Sequence, residues 1–478
     1  MDSTISDRPA RETTQWPWTG RPPRVGGVDD ELERLREDDP QLARALDEEE
    51  RRQELTLSLV ASSSVMDPSV RACLASPIGN LTAEGYPGSR FHAGCVNADA
   101  IENLAIERAN DLFGARYANV QPHSASSANE LLLFRLMNPG DCLMGMSMHA
   151  GGHLSHGSRV SVSGKYFNVV SYGLDARERL DYEEIEALTR RYRPKVIICG
   201  ATAYSRPIDF ARFRQIADTE HAYLLADITH IAGLVAGGQH QNPVDHAHFT
   251  VTCTHKQLYG PRGGLILCGR DFDQAAPDRG GTIADVVQKS VFPYFQGAPF
   301  VHVIAAKATA FRLAATPAFR ALAARIVSNA RALARAFRAR GYDLVSGGTD
   351  NHIVLVDVFQ RRAISGHVAE RALEACGIVV NRNQLFRDEG SKRVSGIRIG
   401  TNTVARRGMS EPEMEQCADL IDRVLSATTP EAPHVTPRVS EEVAASVSAL
   451  CARFPIAASP RPVGKGPRRR GHPWRDDR

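Results

Sequence analysis

The chain has 478 residues, a hydrophobic fraction of 42%, a charged fraction of 24% and a formal net charge of +3. These values are ordinary for a folded globular protein with room for more than one core, and so weak a positive charge argues against a nucleic-acid-binding protein. There is no apolar run long enough to span a membrane, no secretory leader and no CxxC pair among nine scattered cysteines, which predicts a cytoplasmic protein without disulfides or a zinc site.

The N-terminal region, residues 1–56, is predicted to be an arm followed by two short helices. Residues 1 to about 27 are rich in Pro, Arg, Gly and Thr and show no period. Leucines recur at helical spacings from residue 29 to about residue 54, and Pro40 interrupts the pattern. Such a charged amphipathic pair is more often a clasp between domains or subunits than a functional site.

Residues 57–310 are predicted to form a large domain in which short apolar runs alternate with helices. The runs predicted as buried strands are KVIICG (195–200), YLLADI (223–228), FTVTC (249–253) and GLILCG (264–269). Helical stretches such as residues 97–114 lie before and between them. This alternation predicts a mainly parallel sheet with helices on both faces.

Residues 311–455 are predicted to form a smaller α/β domain. It begins with a long helix whose apolar stripe stops at Gly341. The strands predicted after it are HIVLVDV (352–358), GIVVN (377–381) and GIRIGT (396–401). We expect the last helix to begin at Ser410, with Glu413 at the capping-box spacing, and residues 456–478 to be a disordered basic tail.

The segment FTVTCTHKQLYGPRGGLIL (249–267) contains the first candidate for catalysis, Lys256. A strand leads to Thr254, His255 and Lys256, and a glycine-rich turn follows. An amine held at a strand end, partly desolvated and beside backbone that a ligand can approach, suits Schiff-base formation with an aldehyde. Because a single lysine is more often a surface residue, the prediction depends on its neighbours.

One such neighbour is Asp227, at the end of the predicted strand in ADITHIAG (226–233), with His230 three residues on. A strand-end carboxylate can pair with the pyridine nitrogen of pyridoxal 5′-phosphate (PLP) and keep it protonated. Helix capping is the alternative for an isolated aspartate. Together with Lys256, Asp227 predicts a PLP site.

Two further segments predict other contacts to such a cofactor. HSASSAN (123–129) places small hydroxyl residues before a helix, where backbone N–H groups can bind a phosphate, with simple N-capping as the alternative. HAGGHLSHG (149–157) has three histidines but no cysteine or carboxylate to complete a metal-ligand spacing. We therefore predict no metal there, and expect His153 to stack on a cofactor ring.

Seven segments, in order between about residues 55 and 455, resemble serine hydroxymethyltransferases. They are AEGYPGSRFHAG (83–94), FGARYANVQPHSASSAN (113–129), MHAGGHLSHG (148–157), DITHIAGLVAGG (227–238), THKQLYGPRGGLI (254–266), VSGGTDNH (345–352) and SGIRIGT (395–401). The resemblance implies the aminotransferase-like fold type I of PLP enzymes, an α/β fold with a large, mainly parallel-sheet domain and a smaller C-terminal domain. It also implies PLP as cofactor, tetrahydrofolate as co-substrate, an amino-acid substrate, and a homodimer or tetramer with shared active sites.

The same resemblance implies roles for individual residues. The catalytic set is Lys256 as the Schiff-base lysine, Asp227 on the pyridine nitrogen, His230, Thr82, and Glu84 of the partner subunit as acid–base residue. The other PLP contacts are Ala125, Ser126, His153, Thr202, His255 and Gly297 of the partner subunit. Substrate contacts are Ser62, His92, Glu84 and Arg398, whose guanidinium pairs with the substrate carboxylate. Folate contacts are Glu84, Phe91, Met148, Gly152 and Asn383.

The sequence departs from the family pattern around the expected substrate. Thr82 and His92 stand where the family usually has tyrosines, the ASEN-like stretch is Ala-Ser-Ser-Ser at 61–64, and the glycine-rich turn FPGGQGGP is FPYFQGAP at 292–299. Loss of a phenol at position 82 makes room at the substrate Cα for a methyl group. This resembles α-methylserine hydroxymethyltransferases, which use D-alanine where the parent family uses glycine.

We therefore expect hydroxymethyl transfer from 5,10-methylenetetrahydrofolate to D-alanine, giving α-methylserine. The nearest alternative is interconversion of glycine and L-serine. A folate-independent threonine aldolase or transaldolase is a second, and a non-catalytic regulator with a PLP fold is a third. The retained Glu84, Phe91 and Asn383 favour folate use, and the intact Lys256 and Asp227 argue against the regulator.

Overall fold

The computed structural model describes residues 28–276, 280–430 and 435–456. The N-terminal arm predicted for residues 1 to about 27, and all but the first residue of the tail predicted for residues 456–478, thus lie outside the described residues. Across the described ranges, no helix combines the length and apolar character needed to cross a membrane.

Helices and strands alternate along most of the chain. The helices are α1 (Val28–Asp38), α2 (Pro40–Leu55), α3 (Pro68–Leu74), α4 (Val96–Phe113), α5 (Ala125–Leu136), α6 (Val162–Tyr166), α7 (Tyr182–Tyr192), α8 (Phe210–Thr219), α9 (Ala232–Ala236), α10 (Ile283–Lys289), α11 (Val301–Ala314), α12 (Pro317–Ala339), α13 (Val358–Arg362), α14 (Gly366–Ala375), α15 (Asn402–Arg406), α16 (Glu411–Ser426) and α17 (Pro437–Arg453). The strands are β1 (Leu57–Ser58), β2 (Gly85–Tyr86), β3 (Ser89–Arg90), β4 (Tyr117–Asn119), β5 (Cys142–Met146), β6 (Asn168–Tyr172), β7 (Val196–Gly200), β8 (Tyr223–Asp227), β9 (Phe249–Cys253), β10 (Gly264–Cys268), β11 (Asp343–Leu344), β12 (Ile353–Asp357), β13 (Ile378–Val379), β14 (Asn381–Asn383) and β15 (Gly396–Gly400).

The large domain is built on a seven-stranded sheet in the order β4-β10-β9-β8-β7-β5-β6. Strands β6, β5, β7, β8 and β9 are parallel, and β10 is antiparallel to both of its neighbours, β4 and β9. The four predicted strands are all present, as β7, β8, β9 and β10. The prediction of a mainly parallel sheet in an α/β fold is confirmed.

Burial on both faces explains why these strands are continuous apolar runs. In β7, Ile197 and Cys199 belong to the core on one face, whereas Val196 and Ile198 belong to the core on the other. All five residues of the strand are buried. Helices therefore have to cover both faces, and the loops at the carboxyl ends of the parallel strands are left to form a site.

The small domain contains an antiparallel sheet in the order β11-β12-β15-β14, with its own apolar core. Helix α12 joins the two cores: its Leu322 packs in the large one and its Phe337 in the small one. Strand β1 pairs with β13, and Leu57 lies in the small core although it begins the predicted large domain. We propose that the small domain includes this strand as well as the C-terminal residues.

Local signals at helix ends are confirmed at two positions. The side chain of Glu413 accepts hydrogen bonds from the N–H and hydroxyl of Ser410, at 2.8 Å each, so α16 begins with a capping box. The long helix α12 ends just before Gly341, which has φ +79°, a conformation that glycine adopts without strain.

Two predictions for the small domain are wrong. The last described helix is α17, whose Val447 and Leu450 are buried in the small core, so α16 is followed by another helix. The predicted strand at 377–381 is split, because β13 pairs with β1 whereas β14 begins at Asn381 and pairs with β15. An apolar run does not indicate where a chain changes from one sheet to another.

Candidate active site

A cavity of about 670 Å³ lies between the large domain, the small domain and helix α2. Seven of the predicted site residues are among its walls: Ser62, His153, Thr202, His230, His255, Lys256 and Arg398. The other walls include Arg262 and residues of α2 such as Glu49 and Arg52. Loops that follow different strands therefore meet around one space, as is usual at the carboxyl edge of a parallel sheet.

Lys256 and His230 are in direct contact in this cavity. They follow the adjacent parallel strands β9 and β8, and the Lys256 Nζ lies 2.8 Å from the His230 Nε2. Burial lowers the pKa of the Lys256 amine, and burial together with the charge of Lys256 holds the pKa of His230 well below its ordinary value. The neutral amine that attacks an aldehyde is thus accessible.

Asp227, the last residue of β8, is buried and anionic. Its Oδ2 accepts hydrogen bonds from Asn129 Nδ2 at 2.8 Å and from His156 Nε2 at 3.0 Å, and its Oδ1 accepts one from the N–H of Thr229 at 3.0 Å. Burial by itself would raise the pKa of Asp227, but these partners, His156 first, hold that pKa well below its ordinary value. A fixed negative charge of this kind can stabilise a protonated pyridine nitrogen.

His156 and Asn129 have no role predicted from the sequence. His156 belongs to the histidine-rich segment from which only His153 was chosen, and Asn129 closes the segment chosen for phosphate. Each was visible as a polar residue next to a predicted site, but only folding brings both of them to Asp227.

His153 presents a neutral ring at the cavity wall. Its Nδ1 lies 2.8 Å from the hydroxyl of Ser155, which also accepts a hydrogen bond from Asn129 at 3.0 Å. Burial lowers the pKa of His153 to about 4. A neutral, oriented imidazole is suited to stacking on an aromatic cofactor.

The beginning of α5 can bind an anion. Ser124 caps the helix by accepting a hydrogen bond from the N–H of Ser127 at 3.0 Å. The N–H groups of Ala125 and Ser126, at the first two helical positions, have no acceptor among the described residues, and Ser126 is exposed. Free N–H groups at a helix N-terminus favour a phosphate.

Arg398 is held rigidly on β15. Its Nη1 donates to the carbonyl of Thr202 at 2.7 Å and its Nη2 donates to Oδ1 of Asn381 at 3.0 Å, while its Nε is buried without a partner. Burial lowers the pKa of Arg398 to about 10, which leaves it charged near neutrality. Asn381, which was not predicted, is the cross-strand neighbour of Arg398 on β14. A buried guanidinium with an unpartnered N–H is suited to a carboxylate.

A second cluster, formed by Glu84, His92 and Gly297 with Thr82 two residues before Glu84, is not among these cavity walls. His92 Nε2 lies 3.2 Å from Glu84 Oε2, and a Cβ added at Gly297 would lie 3.4 Å from Glu84 Oε1. None of the four lines the cavity formed by the same chain. Thr82 and His92 are thus on the same segment as Glu84, which is expected to act in the partner subunit.

The other predicted folate residues lie on three different segments of the chain. Phe91, 73% exposed, packs edge-on against Phe292 beside the second cluster. Met148 and Gly152 precede His153, and a Cβ at Gly152 would lie 2.1 Å from the carbonyl oxygen of Met146, so only glycine fits. Asn383 lies on β14, where its amide donates to the carbonyl of Gln384 at 2.7 Å.

The residues present fit PLP. A desolvated lysine amine, a buried carboxylate, a neutral planar histidine and a helix N-terminus with free N–H groups match the aldehyde, the ring nitrogen, the ring face and the phosphate, respectively. The fold and this arrangement define a PLP-dependent enzyme of fold type I.

The particular family follows from comparison with known proteins. Residues 35–421 match the family model of serine hydroxymethyltransferase, and the chain belongs to that family. Members of this family are PLP-dependent hydroxymethyltransferases that use tetrahydrofolate as co-substrate, bind an amino acid and are oligomeric. The protein is therefore an enzyme that catalyses hydroxymethyl transfer.

Proposed function

We propose that the enzyme transfers the one-carbon unit of 5,10-methylenetetrahydrofolate to the α-carbon of D-alanine. Water supplies the hydroxyl oxygen, so that D-alanine, methylenetetrahydrofolate and water give α-methylserine and tetrahydrofolate. The observation that supports this choice of amino acid is Thr82, two residues before Glu84, where the family usually has a tyrosine. A threonine leaves space for the methyl group that distinguishes alanine from glycine.

In this proposal the residues of the cavity bind the reactants. Arg398 pairs with the substrate carboxylate. Its two Nη atoms are held by hydrogen bonds to Thr202 and Asn381, and its Nε has no partner and is free to donate. Asp227 holds the cofactor nitrogen protonated, and His153 stacks on the ring. PLP, when bound, supplies an electron sink for the pair left by loss of the Cα proton.

We assign the proton transfers to Lys256 and to Glu84. The Lys256 amine, whose pKa is lowered by burial, is available to accept the Cα proton. Glu84 of a second copy of the chain moves the proton at the substrate hydroxyl and on the folate side. His92, 3.2 Å from Glu84, orients that carboxylate.

Sharing of sites between two copies is supported by the separation of the two clusters. The cavity walls contain Lys256, His153 and Arg398, whereas Thr82, Glu84, His92 and Gly297 are not among them. A homodimer in which each chain offers its second cluster to the cavity of the other would complete both sites.

The test is a competition between amino acids. The purified enzyme is supplied with PLP, methylenetetrahydrofolate and equal concentrations of glycine and D-alanine, and the products are identified by mass spectrometry. Predominant α-methylserine supports the proposal, and L-alanine in place of D-alanine then tests stereochemistry. Predominant serine would contradict it in favour of glycine–serine interconversion, and turnover with an aldehyde in the absence of folate would favour an aldolase.

A further inference from the structure

Lys307, on α11, is a buried lysine for which the proposed reaction has no use. Its side chain is 1% exposed, and its Nζ donates to the carbonyl oxygens of Val120 at 2.6 Å, Pro122 at 3.1 Å and Gly264 at 2.7 Å. Three donated hydrogen bonds are what an ammonium offers, whereas a neutral amine can donate only two.

The three carbonyls belong to two segments beside the beginning of α5. Val120 and Pro122 lie in the turn between β4 and α5, and Gly264 begins β10, just after the glycine-rich turn that follows Lys256. The N–H of Gly264 also donates to the Pro122 carbonyl at 2.8 Å. Lys307 thus joins the turn that leads to the phosphate site with the segment that follows the Schiff-base lysine.

Glycine at position 263 makes this approach possible. A Cβ added there would lie 2.3 Å from Cε and 2.9 Å from Nζ of Lys307, so a side chain at position 263 would force the end of Lys307 to move. The glycine-rich turn therefore accommodates the lysine stem as well as giving a ligand access to the backbone.

Gln296 holds the same turn from a second side. Its Nε2 donates to the carbonyl of Gln121 at 3.2 Å, and its Oε1 accepts from the N–H of His123 at 3.1 Å. The His123 ring stacks on Phe300 with centroids 4.3 Å apart. The backbone groups of residues 120–123 are therefore held one after another by the segment 296–307.

Filling space in the core does not explain why residue 307 is a lysine. Burial lowers the pKa of Lys307 to about 7, a cost that a methionine of similar length would not carry. The acid whose charge favours its ammonium form, Glu102, forms its own ion pair with Arg90 at 2.6 Å. What the ammonium provides instead is a defined geometry for the three carbonyls.

We propose that Lys307 is a positioning residue for the phosphate end of PLP, holding the turn 120–124 so that the N–H groups of Ala125 and Ser126 face the phosphate. This inference rests on the proposed phosphate site at the beginning of α5. Lys307 itself touches neither the cofactor nor the substrate in this proposal. Its effect is therefore on the affinity for a phosphate-bearing cofactor rather than on the chemistry of the aldehyde.

The experiment compares PLP with pyridoxal, which has the same ring and aldehyde but no phosphate. The dissociation constants of both are measured by absorbance titration of the cofactor-free protein for the wild type and for Lys307→Met. We expect PLP to bind about tenfold more weakly to the variant, the scale of a lost hydrogen bond to a charged group, and pyridoxal to bind within about twofold of the wild type. Gln296→Ala, a milder change, should also raise the ratio of the PLP dissociation constant to the pyridoxal dissociation constant.

Two further variants make the result specific. Phe311→Leu, a buried change on the same helix away from the turn, controls for loss of stability and should leave the ratio unchanged. Ser126→Asp tests the phosphate site itself, because an aspartate is tolerated in the first turn of a helix but repels a phosphate bound there. An unchanged ratio of the two dissociation constants for that variant would contradict the site without reference to Lys307. If Lys307→Met and Gln296→Ala both keep the wild-type ratio while Ser126→Asp raises the dissociation constant of PLP relative to that of pyridoxal, the positioning role is overturned and the phosphate site stands.

Discussion

His156 Nε2 lies 3.0 Å from Oδ2 of Asp227, and both side chains are buried at the end of β8. The aspartate expected to pair with the cofactor nitrogen is thus itself held by a buried histidine. A carboxylate in this position keeps its charge because its hydrogen bonds outweigh its desolvation. The affinity for the cofactor is therefore expected to depend on a residue that need not contact the cofactor.

Replacing His156 by leucine is expected to weaken PLP binding by about tenfold. The change keeps most of the side-chain volume but leaves Asp227 with one hydrogen bond fewer, which raises the pKa of its carboxyl. Absorbance titration with PLP measures the effect. His248→Leu is the matched control, since His248 accepts a hydrogen bond from the Leu224 N–H at 2.9 Å near the other end of β8. Unchanged affinity in His156→Leu would contradict the supporting role.

Thr82→Tyr is expected to shift the amino-acid preference from D-alanine toward glycine. Restoring the phenol fills the space proposed for the α-methyl group, and discrimination by about one methyl group is worth roughly 10–200-fold in kcat/KM. The ratio of kcat/KM for the two amino acids measures the shift. Thr82→Ser, which keeps the space open, should retain the wild-type ratio. A ratio that Thr82→Tyr leaves unchanged would show that another residue selects the substrate.

Arg398→Lys is expected to raise the KM for the amino acid by roughly 10–100-fold with little change in PLP affinity. An ammonium cannot keep the two anchoring hydrogen bonds to Thr202 and Asn381 and also bind a carboxylate through two N–H groups. Asn381→Ala, which loosens the guanidinium, should raise KM by a smaller factor. Arg382→Lys, an exposed neighbour paired with Glu370, is the control. Equal effects at positions 382 and 398 would count against a substrate role.

Mixing two inactive variants tests the shared site. Lys256→Ala and Glu84→Ala should each abolish folate-dependent transfer, but unfolding and refolding them together should restore roughly a quarter of wild-type activity. Half of randomly paired dimers are hybrids, and each hybrid has one site with both native residues. Each variant refolded alone is the control. No recovery in verified hybrids would mean that Glu84 acts within its own chain.

Stability is expected to fall as the pH is lowered below about 6.5, in part because of His352. Burial lowers the pKa of this fully buried histidine to about 3. Below its ordinary value of 6.5 the unfolded chain binds a proton that the folded chain does not bind, so the free energy of unfolding decreases toward acid until about pH 3. The contribution is at most about 1.4 kcal/mol per pH unit.

Urea denaturation at pH 7, 6 and 5, with PLP saturating in every sample, measures this slope. His352→Phe retains a ring beside His230, whose centroid lies 6.1 Å away, and should give a shallower slope than the wild type. His367→Phe, at an exposed position on α14, controls for loss of a histidine elsewhere. Identical slopes for His352→Phe and the wild type would contradict the assignment.

Local sequence patterns were sufficient to predict much of the fold. The strands β7 to β10 were predicted because strands buried on both faces must be continuous apolar runs, and the start of α16 because a capping box needs only neighbouring residues. The split of residues 377–381 between two sheets and the helix after α16 were not predicted. Both depend on which surfaces of the small core are still uncovered, and no short segment contains that information.

The amino-acid sequence was enough to predict the mainly parallel sheet and the family, and it located Lys256 and Asp227 at the ends of predicted strands, because strand ends, glycine-rich turns and ordered motifs are local features. The surroundings of those residues, in contrast, depend on how distant segments pack together. The hydrogen bonds of His156 and Asn129 to Asp227, the anchoring of Arg398 by Asn381 and the three carbonyls around Lys307 all join distant segments. A buried polar group must find hydrogen-bond partners, and packing determines which partners are within reach.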